Sequence, residues 1–507
     1  MAILTESTTS SILYTIFSRI NATAVLLALV VFLVLASLLS YHRRIRKLPP
    51  GPKGVPILGV LPKFGKKPYL TIQKWWNQYG DIFSCYMGSR LVVVINGVEA
   101  MKECFIHQGD NFTGRPWNYF KKLTKNTGLV FTDGEVWREH RRFTLTCLRD
   151  FGMGKVSLEA KIHEEASYLL TEVATENGRP FDVRKHLPKA VSNIICSIIY
   201  GSRFDYNDEV FKANINALDI SVRGQSLLGM VQFLPFLEFL PKILPKEKVL
   251  QKNVEMRDNY AKEQLNYHWE TFDSDNPRDF IDAYLIRMSE MKRKGQETSF
   301  SEAQLSRTIQ DLFIAGTETV NTTLKWSLLF MMLHPDIQTK VQAEIDAVIG
   351  PGRKPTMKDR PNMPYTEATI MECQRLGNIA LFSVPRCTFE DTEVNGHFIP
   401  KGTWIFVNRW GVHASSRYWK NPRKFDPTRF LDENGQVFKP EAFIPFGVGP
   451  RSCLGESLAK MELFLFFTIL LQHFRFHQEE GSEAPSLEPK AGINMCPQPY
   501  QICADPR

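Results

Sequence analysis

The sequence predicts a mainly α-helical domain with small β-sheets, preceded by one transmembrane helix. Helical periodicity dominates residues 155–350 and 453–473. Only short runs such as Leu91–Ile95 (LVVVI) and Thr403–Val407 (TWIFV) read as strands between turn residues. The third observation is a stretch without charge from Ala22 to Leu39. Across 507 residues, 43% are hydrophobic and 23% charged, which excludes a disordered chain. Residues 61–507 show no linker composition and no repeat, so they read as one large domain.

In chain order, Ala22–Leu39 would span about 27 Å as a helix, close to the roughly 30 Å of a bilayer core. Arg43, Arg44, Arg46 and Lys47 follow it, against only Glu6 and Arg19 before it. The positive-inside rule therefore puts residues 1–21 in the lumen, 22–41 in the membrane and the rest in the cytosol. A cleaved signal peptide is the competing reading; the long apolar run, the non-basic front and the basic stop speak against it. Residues 42–60, basic and then proline-rich (Leu48-Pro49-Pro50-Gly51-Pro52), read as a stiff hinge. Leu227–Leu244 is strongly apolar but broken by Pro235, Glu238 and Pro241. It reads either as a loop dipping into the bilayer or as ordinary core packing.

Ser301-Glu302-Ala303-Gln304 has the form of a capping box, and the helical pattern it starts runs to Leu333, before His334-Pro335. That is about 50 Å of helix. In its middle lies Ala315-Gly316-Thr317-Glu318-Thr319. Gly316 costs about 1 kcal/mol of helix propensity, and a threonine hydroxyl there can bond back to a carbonyl and open the helix. Met461–Leu471, nearly apolar all round, predicts a helix buried at the centre. The net charge of +8 is too diffuse for nucleic acid and suits a basic face toward an acidic partner or anionic membrane. Nine cysteines, odd in number and without a C-x-x-C pair, argue for a reducing compartment and against a zinc site.

One of those cysteines stands apart. Residues 445–455 (PFGVGPRSCLG) form a glycine-rich loop that puts Cys453 at a helix N-terminus, where backbone N–H groups and the dipole favour a thiolate. A lone thiolate held this way is one means of ligating haem iron; inert packing is the blander reading of a single cysteine. The string F-x-x-G-x-R-x-C-x-G, filled by Phe446, Gly449, Arg451, Cys453 and Gly455, resembles the haem-binding loop of the cytochrome P-450 family. The resemblance implies that fold, with Cys453 as the metal-binding thiolate, Phe446 and Gly455 in its loop, and Arg451 at a haem propionate. It extends to Trp137 and Arg141 (W-x-x-x-R) and to Arg386 in Val384-Pro385-Arg386, as further propionate contacts. Glu372 and Arg375 (E-x-x-R) with Arg429 (P-x-R-F) resemble the family's buried structural network. Ala315–Thr319 resembles its A-G-x-[DE]-T motif, which implies Thr319 as the hydroxyl that orients water and oxygen and Glu318 as the acid that relays protons. Arg141-Arg142-Phe143 with Leu148–Lys155 (LRDFGMGK) resembles animal microsomal members of the family-2 type.

The expected activity is that of a haem b monooxygenase of the endoplasmic reticulum membrane, inserting one atom of O₂ into a lipophilic molecule. Electrons would come from NADPH through a separate NADPH-cytochrome P-450 reductase. No strand-linked G-x-G-x-x-G points to a nicotinamide site in the chain itself. Arg138, Arg142 and Lys460 are the candidate basic patch for that partner. A haem-thiolate isomerase or dehydratase of a peroxide is an alternative, opposed by the Glu318-Thr319 pair; a non-catalytic haem sensor or carrier is another. Candidate substrate residues are Phe313, Ala315, Leu381, Phe382 and Ile493, each of which could equally be core.

Overall fold

The computed structural model describes residues 24–33, 36, 47–152, 156–223, 231–237, 239, 245–492 and 494–507. The longer helices are α1 (Pro68–Tyr79), α2 (Gly134–Asp150), α3 (Val156–Ala174), α4 (Leu187–Ile199), α5 (Glu209–Arg223) and α6 (Pro245–Glu270). They continue with α7 (Phe280–Arg293), α8 (Glu302–Leu333), α9 (Pro335–Val348), α10 (Pro364–Gly377) and α11 (Glu456–His473). Residues 24–33 are helical with exposed apolar side chains from Val25 to Leu33. Among the described residues no helix is long and apolar enough to cross a membrane. Much of the expected span Ala22–Leu39 lies outside them, as do residues 224–230, 238 and 240–244 of the apolar stretch before α6.

Two N-terminal strands and two from residues 386–407 make a four-stranded sheet in the order β1 (Ile82–Met87), β2 (Arg90–Ile95), β6 (Trp404–Val407), β3 (Arg386–Cys387). β1 and β2 form an antiparallel hairpin, while β2 and β6 run parallel with Val92 opposite Trp404. The two strands read from the sequence are therefore direct neighbours. Val92–Ile95 and Trp404–Val407 are buried on both faces, which explains apolar runs without alternation. The pairs β4 (Thr392–Val394) with β5 (His397–Ile399), β7 (Phe474–His477) with β10 (Cys503–Pro506), and β8 (Lys490–Ala491) with β9 (Met495–Cys496) complete the sheets.

The proline-rich hinge differs from expectation at its C-terminal part. Ser84 of β1 donates from its backbone N to Pro50 O at 2.9 Å and from its hydroxyl to Pro49 O at 2.6 Å. Phe398 N donates to Lys47 O at 3.0 Å. Proline removes N–H donors but leaves carbonyls, and here those carbonyls accept from the body, so residues from Lys47 onward are part of it.

α8 crosses the core as the capping signal predicts. Ser301 Oγ accepts from Gln304 N at 3.2 Å, although the Gln304 side chain turns away to bind Gly128. α8 runs as one helix through Gly316, without the opening a threonine hydroxyl can cause. Gly316 has a packing reason instead: a Cβ there would lie 2.9 Å from Ile195 Cγ1 on α4. α11 is buried from Met461 to Leu471, as its apolar sequence requires. His268 on α6 bonds Asp279 at the start of α7 at 2.9 Å and Gln264 O at 2.6 Å, and Asp282 pairs with Arg278. That cluster is satisfied by protein partners.

Candidate functional site

The loop ahead of α11 is shaped by its glycines. Gly447 and Gly449 adopt φ of 74° and 76°, and a Cβ on Gly449 would meet Phe105 O at 1.9 Å, so no other residue fits there. Cys453 N donates to Phe446 O at 2.9 Å, closing the loop. Cys453 lies two residues before Gly455, the N-cap of α11. It is classed as exposed, yet burial pushes its thiol pKa up against the opposing pull of the Gly455 N–H and Arg409. Both hold if Sγ faces an internal space walled by protein. Desolvation thus opposes the thiolate preference expected from the helix end.

Around this loop the fold gathers guanidinium groups, with Arg115 and Arg386 buried and Arg141, Arg409 and Arg451 half-buried. Two of them lie over the Trp137 ring of α2, Arg451 at 3.7 Å and Arg141 at 5.8 Å from its centroid. Arg141 donates to Ser452 O at 2.8 Å, one residue from Cys453. Arg386 on β3 sits 4.3 Å over the Phe105 ring and donates Nη2 to Val448 O at 3.2 Å; its Nε and Nη1 are buried with no hydrogen-bond partner. Arg451 is held by backbone carbonyls. Its Nε donates to Thr113 O at 2.9 Å and its Nη2 to Thr132 O at 2.6 Å, which ties the loop to the segment before α2.

Two members of the cluster carried no motif. Arg115 donates to the carbonyls of Val130, Val384 and Pro385, and Arg409 donates Nη1 to Pro445 O at 2.8 Å. Burial, then mutual repulsion, lowers these cations: Arg451 to about 7, with Arg115 and Arg386 as its next causes, and Arg386 to about 9. Burial chiefly lowers Arg115 and Arg409 to about 10 each. Asp133 is the carboxylate beside them, shared with Lys121 at 2.8 Å and with Arg115 N at 2.8 Å. Positive charge and unspent donors therefore exceed their partners.

The motif network is assembled as its spacing suggests. Arg375 donates Nε and Nη2 to the two oxygens of Glu372 at 2.7 and 2.8 Å, and Arg429 Nε reaches Glu372 at 3.1 Å. Arg375 and Glu372 are fully buried, so breaking one partner leaves an uncompensated charge. A residue missed by sequence reading links this network to the cysteine loop. His413 accepts Arg375 Nη1 at its carbonyl (2.8 Å) and Ile444 N at its Nε2 (3.1 Å). Burial, then Arg375 and Arg409, lowers its pKa to about 3.

In α8, Thr319 donates its hydroxyl to Ala315 O at 2.8 Å without interrupting the helix. Ala315 is exposed although Phe313, Thr317 and Glu318 nearby are buried, so it borders an internal space. Of the candidate substrate residues, Phe313 is in the hydrophobic core. Leu381 is partly buried, and Phe382 packs on Phe406 with ring centroids 5.4 Å apart. Ile493 lies outside the described residues.

The family profile described as Cytochrome P450 matches residues 49–504. The chain belongs to the cytochrome P450 family. Among its relatives, Cytochrome P450 2J3 of Rattus norvegicus is 42% identical over 502 residues, covering 99% of each chain. Cytochrome P450 2J2 of Homo sapiens is 42% identical over 97% of this chain and 98% of its own. Cytochrome P450 2U1 of Homo sapiens is 41% identical over 91% and 90%. This P450 is accordingly a monooxygenase, and P450s carry haem b held through a cysteine thiolate. Haem b bears two propionates, so the residues present can be asked whether they fit. The surplus of guanidinium groups, with the buried Nε and Nη1 of Arg386 unspent, fits such a dianion, and Cys453 is the exposed cysteine. The other cysteines are inaccessible or, for Cys387, partly so.

Proposed function

We propose that this P450 inserts one oxygen atom from O₂ into a lipophilic small molecule at the endoplasmic reticulum membrane, drawing NADPH electrons from a separate reductase. The membrane would hold the chain through residues 22–41, with residues 1–21 in the lumen and residues 61–507, joined by the packed segment from Lys47, as the catalytic domain. The single observation that carries the reading is Cys453, the exposed cysteine, in a loop that resembles the family's haem segment. When bound, haem with a thiolate ligand supplies oxygen activation and O–O cleavage. Cys453 is the residue for the iron. Arg386, Arg141 and Arg451, with Arg115 and Arg409 added, are the residues for the propionates, beside Trp137. Arg451 and Phe446 hold the loop's shape; Glu372, Arg375 and Arg429 fix the scaffold behind it. Thr319 orients a water at its hydroxyl, and Glu318 supplies the proton that reaches it.

The test is a panel of fatty acids, steroids, terpenoids and foreign compounds with NADPH and added reductase, read as products heavier by one oxygen. Cys453→Ala is expected to abolish every product and the haem-thiolate absorbance of the carbon-monoxide complex. Replacement of any of the other eight cysteines should preserve that absorbance; a second cysteine needed for it without unfolding would overturn the ligand assignment. Rearrangement or dehydration of a peroxide substrate without NADPH, with no oxygenated product from the panel when NADPH and reductase are present, would favour the isomerase reading.

A further inference from the structure

Adjacent in sequence, Glu318 and Thr319 make separate contacts. Their side chains leave the helix about 100° apart, and Thr319 bonds to Ala315 O. The Glu318 carboxyl is held one turn further on, where Thr322 Oγ1 donates to Glu318 Oε1 at 3.1 Å. A third side chain arrives from another part of the fold. Cys496 of β9 places Sγ 3.7 Å from Thr322 Oγ1 and 4.0 Å from Glu318 Oε1. All three are buried: Glu318 at 3%, Thr322 at 0% and Cys496 at 5% exposure.

The frame that brings Cys496 there is fixed. Trp326, one turn beyond Thr322, donates Nε1 to Met495 O at 2.9 Å, and Met495 N donates to Ile379 O at 2.8 Å. Gly377 packs against Trp326, where a Cβ would come within 2.9 Å of the indole. Through Met495, the neighbour of the thiol-bearing residue, β9 is therefore pinned to α8 and to the segment just after α10. A hydroxyl and a thiol are both able to donate to a carboxylate and to accept from a carboxylic acid. Such a pair can stay in contact with Glu318 in either protonation state.

We propose that Thr322 and Cys496 are positioning residues that dock the Glu318 carboxyl against β9 between proton deliveries. This rests on the reading of Glu318 as the proton relay. In the dock, the acid is kept one helical turn from Ala315 and released toward Thr319 by rotation of its own side chain. Loosening the dock changes how the acid is presented without touching Thr319 or the haem loop.

Infrared difference spectra of the haem-loaded full chain test the contact. The Glu318 carboxyl band is assigned by its loss in Glu318→Gln, and the Cys496 S–H stretch by its loss in Cys496→Ala. Thr322→Val is expected to shift both bands, Thr322→Ser to restore them, and Glu318→Gln to move the S–H stretch. With NADPH, reductase and the panel compound giving the highest wild-type yield, Thr322→Val should raise peroxide per NADPH roughly five-fold, the factor equivalent to one ordinary net hydrogen bond. Thr322→Ser should bring it back. A carboxyl band unmoved in both Thr322→Val and Cys496→Ala overturns the dock and leaves the relay standing. Shifted bands with unchanged peroxide overturn the positioning role. A fully coupled Glu318→Gln enzyme defeats the relay reading itself, whatever the bands do.

Discussion

Thr319 donates to Ala315 O and so keeps its oxygen lone pairs available to a water. Thr319→Ala is expected to uncouple the enzyme: NADPH and O₂ are still consumed, and the share leaving as hydrogen peroxide rises about ten-fold or more. Peroxide assays against product yield check this, and Thr319→Ser should retain most of the coupling. His413 supplies a second expectation at this scale. Its pKa is about 3 in the folded chain, lowered by burial first, against about 6.5 when exposed. Between those values the unfolded chain binds a proton that the folded one refuses. Its contribution to stability is whole above about pH 6.5 and shrinks by about 1.4 kcal/mol per unit below that. Wild type should therefore lose about 2 kcal/mol more than His413→Gln between pH 7 and pH 5 in denaturant unfolding. Equal losses would place the titration elsewhere. Residues such as Cys453, Trp137 and Glu372 were legible because their partners sit within four positions or inside a dense string. Arg115, Arg409 and His413 were not, because each stands alone in sequence and becomes informative only when folding buries it beside other charges.

At the scale of elements, the capping signal and the His-Pro stop located α8 almost to the residue, while the reason for Gly316 stayed hidden. Local propensity counts glycine only as a cost, whereas the close approach of Ile195 on α4 is a contact between distant segments. Gly316→Ala gains about 1 kcal/mol of helix propensity but overpacks this crossing by about 1–3 kcal/mol. We expect a net destabilisation near 1 kcal/mol in thermal or denaturant unfolding. The double variant with Ile195→Ala should lose less than the sum of the two single losses, since each relieves the other. Full additivity would mean that the helices separate rather than collide. β1 was missed because IFSCYM offers no clear alternation, and its pairing with β2 is what completes it as a strand.

For the whole molecule, the basic patch anticipated for a reductase is only partly bare. Arg138 pairs with Asp110 at 3.1 Å and with Glu135, and Lys460 pairs with Glu456 at 2.7 Å. Arg142 is exposed. With three carboxylates beside them, these cations steer less strongly than their number suggests. Reversing Arg138 and Lys460 together should slow reductase-driven turnover about two- to five-fold at low ionic strength, with the difference fading in salt. Peroxide-driven turnover should not change; an equal loss there would point to damage at the haem site. The parallel pairing of β2 with β6 has a consequence in time. Val92 and Trp404 are neighbours in the sheet but 312 residues apart along the chain. At roughly 5–20 residues per second, the ribosome needs about 16–60 s to make the second after the first. Throughout that interval the β1–β2 hairpin can form, yet the far edge of LVVVI has no strand to cover it. A nascent chain of this P450 therefore carries an adhesive strand edge for most of its synthesis, and a chaperone acting on it would have to bind before residue 404 emerges.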